Sequence, residues 1–250
     1  EAVVPKTLFS VLAMLVLLLS VTAAWIASVL WNDLYDQTID TKTNVSRPLV
    51  SGIITPAEYQ TYAFILFFIS LFGAALVSFQ TALFLVGYQA LAILYSLPPF
   101  RLKRFLGLAT LTVSAAALLI LFSGYTLVHP KHSLEGLPLS LVLYLGLVYL
   151  FMLPLKDFKD VAGDKADHIA TLPVVLGIER GKIVMSAVSF LVFMSSIFIL
   201  HAPELLLWAF LFGSASFWII QQAGNRIPYR NLMGIFVALA LLYGLGLTFF

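Results

Sequence analysis

Two stretches of the sequence carry three aspartates at the same spacing, D-x2-D-x3-D. The first aspartate cluster is Asp33, Asp36 and Asp40, and the second is Asp157, Asp160 and Asp164. Corresponding aspartates are 124 positions apart, about half the length of the chain. On a continuous helix, which turns about 100° per residue, each set of three falls within about 60° on one face. Carboxylates that close repel one another unless cations neutralise them, so both clusters are predicted to bind cations.

The ligand types in these clusters favour magnesium. Both offer carboxylate oxygens, Asn32 adds an amide oxygen beside the first, and neither stretch contains His or Cys. Hard oxygen ligands suit Mg²⁺ better than Zn²⁺, and Mg²⁺ usually combines one or two carboxylates with waters and a substrate phosphate. A phosphorylated ligand is therefore expected. The plainer interpretation, that the aspartates are solvated charges at helix ends, does not account for two clusters of identical spacing.

Basic residues follow the first cluster along the chain. Arg47 lies in the stretch SRPLVSG, and Arg101, Lys103 and Arg104 lie in YSLPPFRLKR. Cations that face acidic clusters across a loop are suited to holding the outer oxygens of a diphosphate. The same residues are equally compatible with ordinary loop charge on the basic side of a membrane.

The composition shows what must position these residues. Of 250 residues, 61% are apolar, 10% are charged and none is cysteine. A soluble domain has about 25% charged residues, so the surrounding solvent is predicted to be lipid. Long charge-free runs predict eight membrane-spanning helices, because about 20 apolar residues cross a bilayer. One run, Tyr59–Phe100, has 42 residues and must contain two spans, with a turn near Ser78–Thr81. The runs are Thr7–Trp31, Tyr59–Phe100, Phe105–Val128, Gly136–Leu155, Ile183–Leu200, Leu205–Ala223 and Leu232–Phe250.

The predicted fold is thus all-α, a polytopic transmembrane helical bundle. Four spans separate the two clusters, which keeps the two halves in the same orientation and indicates a weak parallel internal repeat. We expect a single transmembrane domain over 1–250, with pseudo-repeat halves of about 1–125 and 126–250.

The distribution of charge predicts the orientation. If the spans alternate, twelve Lys and Arg residues and all seven aspartates fall on one side, against two Lys residues on the other. The positive-inside rule makes the basic side cytoplasmic, so we expect a multi-pass protein of the cell membrane with its functional residues facing the cytoplasm. This orientation puts the first residue outside, which leads us to expect one more helix before it. A formal net charge of +2 gives no reason to expect a nucleic-acid partner.

Three ordered motifs together resemble the UbiA superfamily of intramembrane prenyltransferases, and the short stretch Thr171–Pro173 is also similar. The motifs are N-D-x2-D-x3-D from Asn32, Y-S-x-P-P-x-R-x-K-R from Tyr95, and D-x2-D-x2-G-D from Asp157. The resemblance implies nine transmembrane helices around a pocket open to lipid, where this sequence has eight spans. It also implies two or more Mg²⁺ ions that bridge the diphosphate of a polyprenyl donor, with Mn²⁺ as a substitute.

The resemblance assigns roles residue by residue. Metal ions would be held by Asn32, Asp36, Asp40, Asp157, Asp160 and Asp164, with Asp33 matching the same motif. Arg47 and Lys103 would hold the diphosphate, with Lys42 and Arg101 as weaker candidates. Asp36, Asp160, Arg47 and Lys103 are the residues on which we expect catalysis to depend.

The chemistry implied is transfer of a prenyl group. Metal ions and basic side chains stabilise the charge that develops on the diphosphate as its C–O bond breaks, and the allylic cation must be kept from water. An aromatic or lipid acceptor then attacks the cation. The sequence indicates neither which acceptor nor the length of the prenyl chain.

The alternative function is a membrane transporter that uses paired carboxylate clusters. Transporters usually place such carboxylates near the middle of the bilayer, whereas both clusters here lie at the ends of their spans. A magnesium-dependent CDP-alcohol phosphotransferase has a pattern similar to D-x2-D-G-x2-A-R, which the residues after Asp36 do not match. A purely structural membrane protein has no need of two repeated acidic clusters.

Overall fold

A computed structural model describes residues 6–129, 131–166 and 168–247. In this part of the chain every regular element is a helix. Eight of its helical segments are long and apolar enough to cross a membrane, as the sequence predicts. They are Val11–Tyr35, Pro56–Val77, Phe79–Ser96, Leu108–Val128, Leu139–Lys159, Ile178–Ile199, Pro203–Gln221 and Tyr229–Gly246.

The helices are numbered along the chain. The long ones are α1 (Lys6–Tyr35), α3 (Pro56–Val77), α4 (Phe79–Ser96), α5 (Leu108–Val128), α6 (Leu139–Met152), α9 (Ile178–Ile199), α10 (Leu206–Gln221) and α11 (Tyr229–Gly246). The short ones are α2 (Gln37–Thr43), α7 (Val161–Ala166) and α8 (Leu172–Leu176). Three 3₁₀ segments cover Leu102–Arg104, Leu153–Lys159 and Pro203–Leu205.

Local sequence explains where the helices near the first cluster begin and end. Thr55 and Glu58 form a capping box at the start of α3, with Pro56 in the first turn, where a missing N–H costs nothing. The predicted turn in the 42-residue run lies at Ser78, whose hydroxyl accepts the backbone N–H of Thr81 at 3.1 Å and so caps α4.

The helices divide into two compact units. The first comprises Glu1–Leu102 and Ala115–Leu137. Here α1 packs on α3 through small residues, because Ala24 and Ala74 are fully buried and a side chain at Gly73 would collide with the hydroxyl of Ser20. Small residues let helix backbones approach closely, which is how helices associate in lipid.

The second unit comprises Lys103–Ser114 and Pro138–Phe250. Its core is aromatic: the ring of Phe193 lies edge-on to that of Tyr243 and tilted against that of Phe236, and the Tyr243 hydroxyl is bonded to that of Ser196. Large apolar side chains remain exposed on both units, among them Phe72 at 70% and Phe198 at 75%. Exposed apolar surface on this scale fits a protein whose solvent is lipid. The prediction of one domain over 1–250 stays a prediction.

Candidate functional site

The first aspartate cluster lies where a membrane helix breaks. α1 ends at Tyr35, Asp36 has non-helical dihedral angles (φ −109°, ψ 10°), and α2 begins at Gln37. The backbone N–H of Asp36 bonds to the carbonyl of Asp33 at 3.2 Å, and that of Asp40 bonds to the carbonyl of Asp36 at 2.9 Å. The three aspartates therefore stay one turn apart although the helix is interrupted between them.

The second cluster has the same backbone arrangement. The 3₁₀ segment ends at Lys159, Asp160 has φ −108° and ψ 7°, and α7 follows. The N–H of Asp160 bonds to the carbonyl of Asp157 at 3.1 Å, and that of Asp164 bonds to the carbonyl of Asp160 at 2.9 Å. The φ and ψ angles of Asp36 and Asp160 agree to within a few degrees, which supports the predicted internal repeat.

These breaks correct the expectation that each cluster occupies one continuous helical face. Aspartate side chains compete for backbone hydrogen bonds and favour helix ends over helix interiors. Pro154 explains the earlier end of α6 at Met152, because proline cannot continue its α-helical bonding.

Two arginines pair with the three carboxylates of the first cluster. The Nη1 of Arg47 bridges Asp33 and Asp40, at 2.6 Å from the Asp40 Oδ2. The Nη2 of Arg101 donates to the Asp36 Oδ1 at 2.8 Å and to the carbonyl of Tyr35 at 3.2 Å. All three aspartates are at most 8% exposed, so pairing with cations offsets the cost of burying their charges.

Polar side chains hold the remaining oxygens of the first cluster. The amide of Asn32 donates to the Asp36 Oδ2 at 2.8 Å, and the amide of Asn44 donates to the Asp40 Oδ1 at 3.0 Å. The hydroxyl of Tyr59, which is 5% exposed, donates to the Asp33 Oδ2 at 2.9 Å.

A threonine hydroxyl and nearby lysines act on the second cluster. The hydroxyl of Thr171 donates to Asp164 at 3.2 Å. The pKa of the Asp164 carboxyl is raised to about 6, mainly by burial, and the nearby charge of Asp160 acts in the same direction. The Thr171 hydrogen bond and the positive charges of Lys156 and Lys103 act in the opposite direction.

The predicted residues thus fall into two groups, one in each unit. The first unit brings together Asn32, Asp33, Asp36, Asp40, Arg47 and Arg101. The second unit contains Asp157, Asp160 and Asp164, with the charge of Lys103 acting on Asp164. The side chain of Lys42 lies outside the described residues. Sequence reasoning missed Tyr59 and Asn44, of which Asn44 carries a local signal because it lies four residues after Asp40.

A sequence model of the UbiA prenyltransferase family matches residues 2–236. The chain belongs to this family. The predicted family membership and the helical membrane fold are therefore confirmed.

Several relatives carry names that specify an activity. A digeranylgeranylglyceryl phosphate synthase of Methanothermobacter thermautotrophicus is 28% identical over 246 residues, which cover 94% of this chain and 83% of the relative. One from Methanoregula boonei is 30% identical over 181 residues, 72% of this chain and 61% of the relative. A chlorophyll synthase of Oryza sativa is 29% identical over 169 residues, 60% and 42% of the two chains. The chain thus spans less than two thirds of some of these UbiA relatives.

Solved UbiA structures share the fold. A UbiA homologue from Archaeoglobus fulgidus bound to GPP and Mg²⁺ superposes with a TM-score of 0.73 at 22% identity, covering 94% of this chain and 87% of the other. The apo structure of a homologue from Aeropyrum pernix gives 0.68 at 18% identity, with 94% and 88% covered.

The donor atoms of this UbiA protein fit a divalent metal of the magnesium type. Both clusters supply carboxylate oxygens, the first adds an amide, and neither offers a nitrogen or sulfur ligand. Among the described residues no three acidic or histidine side chains converge closely enough to enclose an ion. The first cluster is instead bonded to arginines, so taking up a metal there means exchanging guanidinium for metal on the same oxygens.

An apolar cavity of about 430 Å³ lies in the second unit between α6 and α11. Its wall includes Met152, the last residue of α6, and Leu153, the first residue of the 3₁₀ segment that carries Asp157, and it extends along Phe236 and Ala240. The lining is almost entirely hydrocarbon, as a binding space for an apolar chain requires.

Proposed function

We propose that the protein is a Mg²⁺-dependent intramembrane prenyltransferase. It ionises a polyprenyl diphosphate and transfers the prenyl group to a hydrophobic acceptor, either an aromatic compound or a lipid. The observation that carries the proposal is the pair of aspartate clusters with matching helix breaks, together with arginines already seated on the carboxylates of the first. Carboxylates at helix ends suit the binding of a metal ion, and guanidinium groups beside them suit the binding of diphosphate oxygens.

The metal ligands that we propose are oxygen donors from both clusters. They are Asn32, Asp36 and Asp40 in the first and Asp157, Asp160 and Asp164 in the second. Bound Mg²⁺ would neutralise the charge that develops on the diphosphate as the C–O bond breaks. The number of ions and the use of Mn²⁺ in place of Mg²⁺ belong to the same proposal.

Basic side chains would bind the diphosphate itself. Arg47 and Arg101 have guanidinium groups, whose planar array of N–H donors matches phosphate oxygens. Lys103 is 7% exposed and acts on Asp164, so it would bring a desolvated positive charge to the second cluster. Lys42 is assigned here by family resemblance alone.

The rest of the donor is hydrocarbon and needs an apolar, water-free space. The cavity between α6 and α11 meets this need, because its wall leads directly into the segment of the second cluster. A prenyl cation formed beside it would be protected from water. The names of the relatives leave both acceptor classes in the proposal, since they include glycerol-lipid and chlorophyll synthases.

We place this chemistry on the cytoplasmic side of the cell membrane, where the twelve basic residues are expected to lie. A transporter function has no comparable support, because both clusters lie at span ends and the first is tied to arginines by direct bonds.

The experiment is product analysis with purified protein. Geranyl, farnesyl and geranylgeranyl diphosphates are each incubated with a panel of aromatic and glycerol-lipid acceptors, with Mg²⁺ and with EDTA, and the products are read by mass spectrometry. We expect a prenylated product that requires the metal. Turnover that persists after complete removal of bound metal would overturn the metal mechanism, and substrate movement across vesicles without any prenylated product would favour the transporter.

A further inference from the structure

Asp33 differs from the other aspartates of its cluster in what holds it. One of its oxygens accepts from Arg47, and the other accepts from the hydroxyl of Tyr59 at 2.9 Å. Asp33 and Tyr59 are both only 5% exposed. The bond between them is therefore sealed from water and joins the last turn of α1 to the first turn of α3.

The other two aspartates have partners that water can replace. Asp36 accepts from the amide of Asn32 and Asp40 accepts from the amide of Asn44, and both asparagines are only partly buried. If the carboxylate oxygens took a metal, the Asn32 amide could turn to offer its own oxygen as a ligand, and the Asn44 amide could be solvated. Moving Asp33 onto a metal would instead take the acceptor from the hydroxyl of Tyr59, and an unpaired donor at a buried position is costly.

The exposure of Arg47 shows which of its sides can meet a ligand. Its side chain is 33% exposed, whereas the side chains of Asp33 and Asp40 behind it are 7% and 4% exposed. The two carboxylates thus lie on the buried side of the guanidinium, and a third of the arginine side chain remains open to a ligand. Arg47 belongs to the connection between α2 and α3, so without these bonds its long side chain would have no fixed orientation.

We propose that Asp33 and Tyr59 are positioning residues that hold Arg47 for the diphosphate, and that Asp33 is not a metal ligand. This proposal rests on the proposed function. If Asp40 bound a metal and released Arg47, the bond from Arg47 to Asp33 would still hold the guanidinium. The Tyr59 hydroxyl would in turn hold Asp33 in its position. The tyrosine is fixed in turn by the capping box of Thr55 and Glu58, which sets the first turn of α3.

The test compares Tyr59→Phe with Tyr62→Phe. Both changes remove one hydroxyl from α3, but Tyr62 lies almost one turn further along and is 48% exposed. Affinity for Mn²⁺ alone is measured by electron paramagnetic resonance on purified protein, and affinity for inorganic pyrophosphate in the presence of Mn²⁺ by calorimetry. The KM for geranylgeranyl diphosphate and kcat are measured separately.

We expect Tyr59→Phe to weaken pyrophosphate binding and to raise the KM about tenfold, as the loss of a partner that orients a binding group does. Mn²⁺ affinity should stay within about twofold of wild type, and Tyr62→Phe should match wild type throughout. Asp33→Asn should behave as Tyr59→Phe does, and the double variant should be no worse than Asp33→Asn because the two residues act through one bond. Asp36→Asn, in contrast, should lower Mn²⁺ affinity by at least about tenfold.

Two results would overturn the inference. If Asp33→Asn weakens Mn²⁺ binding as much as Asp36→Asn does, Asp33 is a metal ligand. If Tyr59→Phe matches wild type in pyrophosphate affinity and KM, the tyrosine only packs against α1. Absence of turnover with every prenyl diphosphate would count against the proposed function alone, because the Mn²⁺ and pyrophosphate affinities still decide the roles of Asp33 and Tyr59.

Discussion

Asp36→Ala and Asp160→Ala test whether both aspartate clusters serve the same reaction. These residues occupy equivalent positions, each at a helix break with nearly identical dihedral angles. If both stabilise the charge that develops on the diphosphate, either change should lower kcat on the order of 10²–10³-fold, as removal of one stabilising group at such a centre does. The two variants should therefore be similarly inactive.

Their stabilities should differ, and the structure indicates by how much. Asp36 pairs with Arg101 at 2.8 Å, with side chains only 11% and 13% exposed, so its removal takes the paired carboxylate away from a largely buried guanidinium. Breaking a buried pair in this way costs about 3–5 kcal/mol, and the residual exposure puts Asp36→Ala at or below the lower end. Asp160 lies 3.8 Å from Lys159, with side chains 38% and 49% exposed. Screening by solvent makes such a pair contribute about 0–1 kcal/mol.

The assay is turnover of purified, monodisperse variants at saturating donor, paired with thermal unfolding in the same detergent. Glu135→Ala is the control, because it removes a carboxylate whose ion pair with Lys131 is exposed and far along the chain from either cluster. We expect the control to retain wild-type activity and stability, Asp160→Ala to lose activity alone, and Asp36→Ala to lose both.

One outcome would refute this reasoning. If Asp160→Ala keeps a rate close to wild type while Asp36→Ala is inactive, the second cluster is only a charged helix end. The metal and diphosphate ligands would then have to come from the first cluster and the basic stretch at Arg101.

Three further expectations concern topology, pH and helix packing. The chain has no cysteine of its own, so a single cysteine at Ser46 should react with impermeant reagents only from the cytoplasm and one at Ser133 only from outside; labelling of both from one side would contradict the span order. The pKa of Asp164 is raised from 3.8 to about 6, and metal binds the deprotonated form, so Mn²⁺ affinity should fall as pH drops below about 6, as measured by titration at pH 5.5 and 7.5. Asp164→Asn should remove that part of the pH dependence. Gly73→Ala should lower the free energy of unfolding by about 1–3 kcal/mol, because the added Cβ meets a serine hydroxyl of α1. Gly234→Ala is the control, because the space around it is open and its stability should not change. Equal stabilities of the two variants would show that α1 and α3 are not closely packed at Gly73.

The membrane spans could be predicted from the sequence because the signal lies within each segment. Charge-free length alone separates eight spans, and the most polar part of the longest run locates the turn at Ser78. The spacing of the aspartates likewise depends only on neighbours three or four residues away. It survives the helix breaks because the same backbone bonds, from Asp36 to Asp33 and from Asp40 to Asp36, are kept.

The partners of those aspartates could not be predicted in the same way. Tyr59 is 26 positions from Asp33, and Arg101 is 65 positions from Asp36, so the contacts depend on how helices pack. The breaks themselves were missed because a helical wheel assumes an uninterrupted helix. At Asp36 no proline marks the end of α1, and the interruption reflects a weak preference of aspartate that packing and charge pairing reinforce.

The arginines on the first cluster separate folding from metal loading. In a structural zinc site the metal supplies the free energy of folding, and a chelator unfolds the protein. Here Arg47 and Arg101 already pair with the three buried carboxylates and balance two of their three charges, so we expect the chain to insert and fold without an ion. Metal binding would then exchange one cation for another on a protein that is already folded. We therefore expect protein treated with a chelator to stay folded and to regain activity when the ion is added back.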